Sequence, residues 1–434
     1  MAILIPSGGA PDVPTSRTHY VSQFGDDATA QRGKSYRPYR TIAAALAAYT
    51  PGDLIHVLPG LHRLTEPIHR DGYLVPVTLT RANGVVTVTV EEPHGCSAGH
   101  RLCAGYTNGF DGELVVHEVL SPTAFTCLQA GPDATDNSQQ GILSELLAIH
   151  CEHGVELRQD GDWAVFEEYD VPGYISVTGH ADIHAAGAGP AVNGTGLLYR
   201  IQCANIRKLS AATLGPAVSG ANVHLEVQHE IMSINYDAIM SLGGTNHIRA
   251  RSIVGKDNAI ELGNAMVPES TFIEADELVG GQAAVRIPGG TFAAAGSRAY
   301  IRAKRIIGAS AFVMGSATTR DYELFLDADE MIGRDAPAVV WAANAPHVAV
   351  RLNCRRITSQ FADPSGYAIA LNGTNRLQLH GSPALLTTPA PAYSVYASSA
   401  TDLVSFGTLR VAKPVHGNVT VRVGAVTIDA THVV

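Results

Sequence analysis

The sequence predicts an all-β chain: a right-handed parallel β-helix (a solenoid) with a short N-terminal capping helix and a small inserted β-barrel or sandwich. Three observations predict it. A strand phrase recurs about every 25 residues, a second phrase runs in phase with it, and the composition is poor in charge. Charged residues make up 16% of the 434, below the roughly 25% of an average globular domain, and aromatics 6%, while glycine alone contributes 43 residues. Such a chain suits many short strands around a narrow core better than large amphipathic helices.

The first phrase is apolar–x–small–x–x–apolar. It reads Ile248-x-Ala250-x-x-Ile253, Ile273-x-Ala275-x-x-Leu278, Ile301-x-Ala303-x-x-Ile306, Leu326-x-Ala328-x-x-Met331 and Leu352-x-Cys354-x-x-Ile357. Leu377-x-Leu379 and Val404-x-Phe406-x-x-Leu409 continue it more loosely, so that the first positions lie 25, 28, 25, 26, 25 and 27 residues apart. The second phrase, alanine before a β-branched or aromatic residue, usually follows 10 to 12 residues later. It appears at Ala191-Val192, Ala217-Val218, Ala238-Ile239, Ala259-Ile260, Ala284-Val285, Ala311-Phe312, Ala338-Val339 and Ala368-Ile369, and ends at Ser394-Val395. Turn residues such as Asn372-Gly373-Thr374-Asn375 often follow. Two strand phrases sharing one period, with turns between, are what a β-solenoid requires. A helical solenoid is excluded, because the gaps carry Gly and Asn where it needs ten-residue amphipathic runs.

Aligning the first phrase brings charge into columns. One column reads Glu226, Arg249, Glu274, Arg302, Asp327; the next Arg251, Asp276, Lys304, Asp329, Arg355; the third Glu277, Arg305, Glu330, Arg356. With adjacent coils roughly 4.8 Å apart, each carboxylate has a cation above or below it. Asp327, Asp329 and Glu330 resemble a catalytic carboxylate cluster at first sight. A glycosidase acid, however, needs a raised pKa, and opposite charges on neighbouring coils lower it. The expectation is a solvated structural ladder, with a substrate groove as its alternative.

The chain opens with Thr18-His19-Tyr20-Val21-Ser22 and Gly25-Asp26-Asp27. Pro38-Tyr39-Arg40-Thr41-Ile42 starts a short helix presenting Ile42, Leu46 and Tyr49 on one face, and Gly52-Asp53-Leu54-Ile55-His56-Val57-Leu58-Pro59-Gly60 supplies the first strand, over Leu54 to Leu58. A helix here covers the open end of a solenoid. These residues, about 45 in all, resemble the entry segment of the pectate-lyase-like β-helix superfamily, which implies the fold and leaves function open across lyases, hydrolases, epimerases and viral spikes.

From Val75 to Ile142 the coil pattern is interrupted. Val86-Thr87-Val88-Thr89-Val90, Pro93-His94-Gly95, Gly112 to Val119 and Thr123-Ala124-Phe125-Thr126-Cys127 read as strands and turns of a small β domain. They resemble a module of bacteriophage tail and baseplate proteins, although Cys96 stands where leucine is usual and His100 where aspartate is. The resulting organisation is an arm over 1–17, a cap and first coil over 18–74, the inserted domain over 75–146, coils over 147–410 and closing strands over 411–434.

The search for chemistry yields no assigned catalytic, cofactor or metal residue. His150-Cys151-Glu152-His153 is contiguous, which suits a tetrahedral metal site badly, and His180 and His184 flank a strand. Asp160, Asp162, Glu167, Glu168 and Asp170 beside Trp163 form the densest acid cluster outside the ladder; a solvated loop is the expectation and a carbohydrate platform the alternative. The glycine run 187–196 lacks the Lys-Ser/Thr of a phosphate loop. Six scattered cysteines predict buried free thiols, with a Cys96–Cys103 bridge as the other reading. The net charge of −10 argues against a nucleic-acid groove, no run of 18 apolar residues predicts a membrane span, and Met1 to Pro6 is too short and uncharged for a signal peptide.

The resemblances imply a virion protein assembled in a host cytoplasm: a homotrimeric spike or fibre on tail, collar or capsid, touching other virion proteins and serving attachment to a bacterial surface polysaccharide. A tailspike depolymerase and a bacterial surface adhesin are the alternative functions.

Overall fold

The computed structural model describes residues 15–50, 52–69, 73–74, 76–105, 109–110, 112–137, 142–167, 174–194, 199–211, 214–220, 222–241, 243–262, 269–288, 296–315, 322–341, 348–360, 367–371, 376–380, 384–387, 395–405, 410–411, 415–423 and 426–429. Glu168, Asp170, the turn at 372–375, Ser394, Phe406, Leu409 and the arm up to residue 14 lie outside them. The fold is all-β, a right-handed parallel β-helix, with strands paired side by side in parallel from coil to coil. The chain divides into two units, one of residues 1–205 with 222–226, the other of 206–221 with 227–434.

In the first unit, Thr18–Val21, Leu54–Val57, the second half of Ile142–Cys151 and Tyr174–Gly179 stack in parallel, and Tyr20, His56, His150 and Thr178 share one column. Gly60–Leu64, Val155–Gln159 and Asp182–Ala185 make a second sheet. The helix runs from Ile42 to Ala47, and its Thr41 side chain accepts from the Ala44 amide, satisfying one donor that a helix start leaves unpaired. Ile42 and Tyr49 are buried as expected, but Ala45 takes the buried place assigned to Leu46, which is only half-buried. A six-residue helix is too short for a full apolar stripe.

Asp53 explains the Gly-Asp pair of the entry segment. Its carboxylate is fully buried and accepts from His19 Nε2 (2.9 Å), Thr50 Oγ1 (2.8 Å), the Thr50 amide (3.0 Å), Arg17 Nε (3.2 Å) and Arg32. Burial alone raises its pKa; the hydrogen bonds from His19, Thr50 and Arg17 outweigh burial and hold the carboxyl below its usual range. One carboxylate thus ties the first strand, the loop after it and the cap together.

The inserted domain is antiparallel. Pro76–Ala82 and Val85–Val90 form a hairpin around Asn83 and Gly84, both with positive φ (54° and 77°), the backbone that a two-residue primed turn demands. Its core gathers Leu79, Val88, Leu102, Phe110, Leu114 and Phe125. The strand Ile142–Cys151 leaves this domain and enters the coils without a break: Leu143 pairs antiparallel with Ala104, whereas Ile149 pairs parallel with Val177. Glu113, which accepts from Arg101 Nε (2.6 Å) within the domain, fastens it to the coils by accepting from the Tyr174 hydroxyl (3.1 Å).

In the second unit, Gly244–Gly255, Glu269–Gly280, Ser297–Gly308, Tyr322–Gly333 and Val348–Ser359 stack in register. Ile248, Ile273, Ile301, Leu326 and Leu352 form one buried column, as do Ile253, Leu278, Ile306, Met331 and Ile357. Each of these side chains contributes roughly 1.5–3 kcal/mol by leaving water. The second phrase forms the third side: Ile239, Ile260, Val285, Phe312, Val339, Ile369 and Val395 follow one another in register. Two sequence alignments are corrected. Leu352 pairs with Leu379, not Leu377, and Leu379 pairs with Ser405, which leaves Val404 opposite Gln378. The first slip, of two residues, keeps the face; the second, of one residue, changes it.

Candidate functional site

In the long strands of the second unit two successive positions face outward between buried Ala250 and Ile253, and likewise between Ala275 and Leu278, Ala303 and Ile306, and Ala328 and Met331; there the coils turn a charged corner. Arg249 lies 3.7 Å from Glu274, Arg302 3.2 Å from Asp327, Lys304 2.7 Å from Asp276, Arg305 2.5 Å from Glu277, Arg355 3.4 Å from Asp329, and Arg356 3.4 Å from Glu330. Asp327, Asp329 and Glu330, the carboxylates that resembled a catalytic cluster, are therefore each paired to a cation on a neighbouring coil. Lys304, hydrogen-bonded to Asp276, holds that carboxyl below its usual range. Most of these side chains stand well into solvent, Arg302 with 71% of its side chain exposed, so water and salt screen the pairs and each contributes little. Arg302→Glu sets a third acid between Glu274 and Asp327. We expect it to destabilise the chain by about 1 kcal/mol in low-salt denaturation and by much less at about 1 M salt; no salt dependence would contradict the pairing.

Beside the corner runs a column of stacked rings. His247 and Phe272 lie 4.9 Å apart at 11°, Phe272 and Tyr300 5.0 Å at 4°, and Tyr300 and Phe325 4.5 Å at 5°. The Arg351 guanidinium covers Phe325 at 4.8 Å. The ring faces are turned to one another along the stack. A sugar docks on a free ring face, and this column spends its faces on its own stacking, worth about 0.5–1.5 kcal/mol per pair.

The other sequence candidates are dispersed by the structure. Asp160 is not an unpaired acid, because it accepts from Arg158 Nε (2.9 Å) and from Arg63, and these contacts hold its pKa down. Glu167 accepts from the Ala164 amide (3.0 Å). His56 and Glu152 are 2.8 Å apart and His150 meets Thr178 at 3.0 Å, while His184 pairs with Glu156 at 3.0 Å. Among the described residues no group of three or more His, Cys, Asp or Glu is placed to hold a metal ion. Cys127, Cys151, Cys203 and Cys354 are free and buried, Cys96 is buried, the Cys103 side chain of the alternative bridge lies outside the described residues, and burial pushes the Cys127, Cys151 and Cys354 thiols up to about 12.

One arrangement escaped the sequence reading. Asp237 is fully buried at the turn before Ile239. Its Oδ1 accepts from the Asn258 amide (2.9 Å) and side chain (2.8 Å), while Oδ2 has no partner. Burial, and next the nearby Glu261 carboxylate, push its pKa up to about 7. Glu261, buried and 3.7 Å from Arg286, is itself raised by burial. The folded chain thus holds a proton at Asp237 that the unfolded chain, with a carboxyl near ~4, gives up. Between about pH 4 and pH 7 the contribution of this carboxyl to stability therefore falls as pH rises, and it is level above that. Asp237→Asn keeps the acceptor for Asn258 and has no proton to lose. At about pH 8 we expect it to be more stable by about 1–3 kcal/mol in chemical denaturation, with a flatter profile through that window; a destabilised variant would contradict the assignment.

The sequence matches no protein-family model and no curated protein. Among solved structures, the tailspike protein gp49 of Pseudomonas phage LKA1 is similar over 86% of this chain and 70% of that one, at 11% identity and a TM-score of 0.36.

Proposed function

We propose that this chain is a structural component of a bacteriophage-like particle, a trimeric β-helical spike or fibre that contributes to attachment on the host surface. The observation that carries the reading is the charged corner: carboxylates that a glycan-cleaving site would need free are paired coil by coil with arginine and lysine. The inserted antiparallel domain, continuous with the coils through Ile142–Cys151, supports a virion component by its resemblance to tail and baseplate modules. Light scattering after size exclusion is expected to give the mass of three chains, and imaging of a particle that carries the chain is expected to place it in a projecting spike. A stable monomer at micromolar concentration would overturn the trimer, and a particle lacking the chain would overturn the virion role.

A second reading, cleavage of a bacterial surface polysaccharide, is favoured by one observation, the raised carboxyls of Asp237 and Glu261. Against it, Asp237 has no exposed surface through which a sugar could reach it.

A further inference from the structure

Along the corner, charge alternates from coil to coil, and within a coil it does not alternate at all. Arg249 and Arg251 share one coil; Glu274, Asp276 and Glu277 the next; Arg302, Lys304 and Arg305 the third. The following two coils repeat acid and base, with Asp327, Asp329 and Glu330 and then Arg355 and Arg356. The corner is therefore a set of single-sign bands, each one coil wide, with a period of two coils, roughly 10 Å. The fields of such bands cancel a short way out, so the corner is neutral to a distant partner and selective only in contact.

Contact is where the phase matters. A second copy of this chain lying alongside with its coils at the same level sets every band against its own sign. Turning that copy end over end about one of these coils does the same, because the bands are symmetric about each coil. A partner whose bands run in the opposite phase meets opposite sign at every coil. We infer that the corner reads register: it rejects a second copy at the same level and accepts a chain of opposite phase. Resting on the assembly proposed above, cyclic symmetry holds equivalent coils level, so in a trimer this corner faces away from the axis.

Ser252 offers a neutral probe. It is half-exposed in the column of Glu277 and Arg305, and Cys96, Cys127, Cys151, Cys203 and Cys354 are buried. Ser252→Cys is placed in the full wild-type chain and in a phase-inverted chain, in which every corner charge of these five coils is exchanged for its opposite (Arg302→Glu, Asp327→Lys and so on). The inverted chain keeps its own pairs and is checked by circular dichroism. On mixing under mild oxidation at low salt, the mixed disulfide is expected to form at least ~5-fold faster than either like disulfide, and the ratio to approach one at about 1 M salt. Equal rates, or faster like pairs, would overturn the inference. Should the inverted chain not fold, the wild-type chain carrying Ser252→Cys alone decides: its like disulfide is expected to form several-fold faster at about 1 M salt than at low salt, and a rate independent of salt would overturn the inference. The two readings separate cleanly. A monomer that still prefers the mixed disulfide overturns the assembly and keeps the corner. A trimer whose own copies cross-link through the introduced thiol in low salt overturns the corner.

Discussion

Gly280→Ala is expected to destabilise the chain by about 3 kcal/mol, measured by chemical denaturation of the purified protein. Gly280 ends a long strand where the coil turns into its third side. A Cβ there would lie 1.7 Å from the Ala283 carbonyl oxygen and 2.3 Å from its carbon, both backbone atoms that cannot swing aside. Gly255 meets the Asn258 oxygen at the same 1.7 Å, Gly308 meets Ser310 at 2.2 Å and Gly333 meets Ala336 at 2.4 Å. Gly255 pairs with Gly280, and Gly308 with Gly333, so one tight turn is repeated up the stack. An added methyl must push the turn outward, which loosens the hydrogen bonds to the coils on both sides. The next position in register is Ser359, whose hydroxyl donates to the Ala336 carbonyl at 3.4 Å; the turn there is no longer the same. A loss below about 0.5 kcal/mol would mean that the turn is not the close approach described.

Asp53→Ala is expected to cost about 3–5 kcal/mol and to open the N-terminal cap to proteolysis first. Truncation removes the acceptor for His19, Thr50, Arg17 and Arg32 together, leaving a buried imidazole and two guanidinium groups facing a cavity. Asp53→Asn keeps the shape without the charge and is expected to fall between alanine and wild type. Because the folded carboxyl titrates below its usual range, its contribution is present above about pH 4 and is lost as pH falls through the folded pKa. A cap as protease-resistant in Asp53→Ala as in wild type would contradict this role.

Much of the shaft was legible because its physics repeats. Inward isoleucine and leucine recur at a spacing set by the coil, and the charges between them alternate from coil to coil, so alignment alone predicted the pairs Arg302–Asp327, Lys304–Asp276 and Arg356–Glu330. Legibility failed where the phrase degenerates. Leu377 and Leu379 are both apolar and on one face, so sequence could not choose which continues Leu352, and Leu403 beside Val404 hid a one-residue shift. The stacked column is written in the sequence as well: His247, Phe272, Tyr300 and Phe325 each precede a corner charge by two residues. Asn83-Gly84 was a hairpin signal of the same kind. Asp237 was not readable. Alone it is an ordinary turn residue, and only the register that brings Asn258 and Glu261 alongside makes it a buried acid.

The account depends on a shaft whose acids are committed to holding the coils together. Incubating the full chain with capsular polysaccharides and lipopolysaccharide, and assaying new reducing ends and unsaturated sugars, tests that most directly. The account predicts no product above a protein-free control. Product that disappears in a folded Asp237→Asn or Glu261→Gln variant would contradict it.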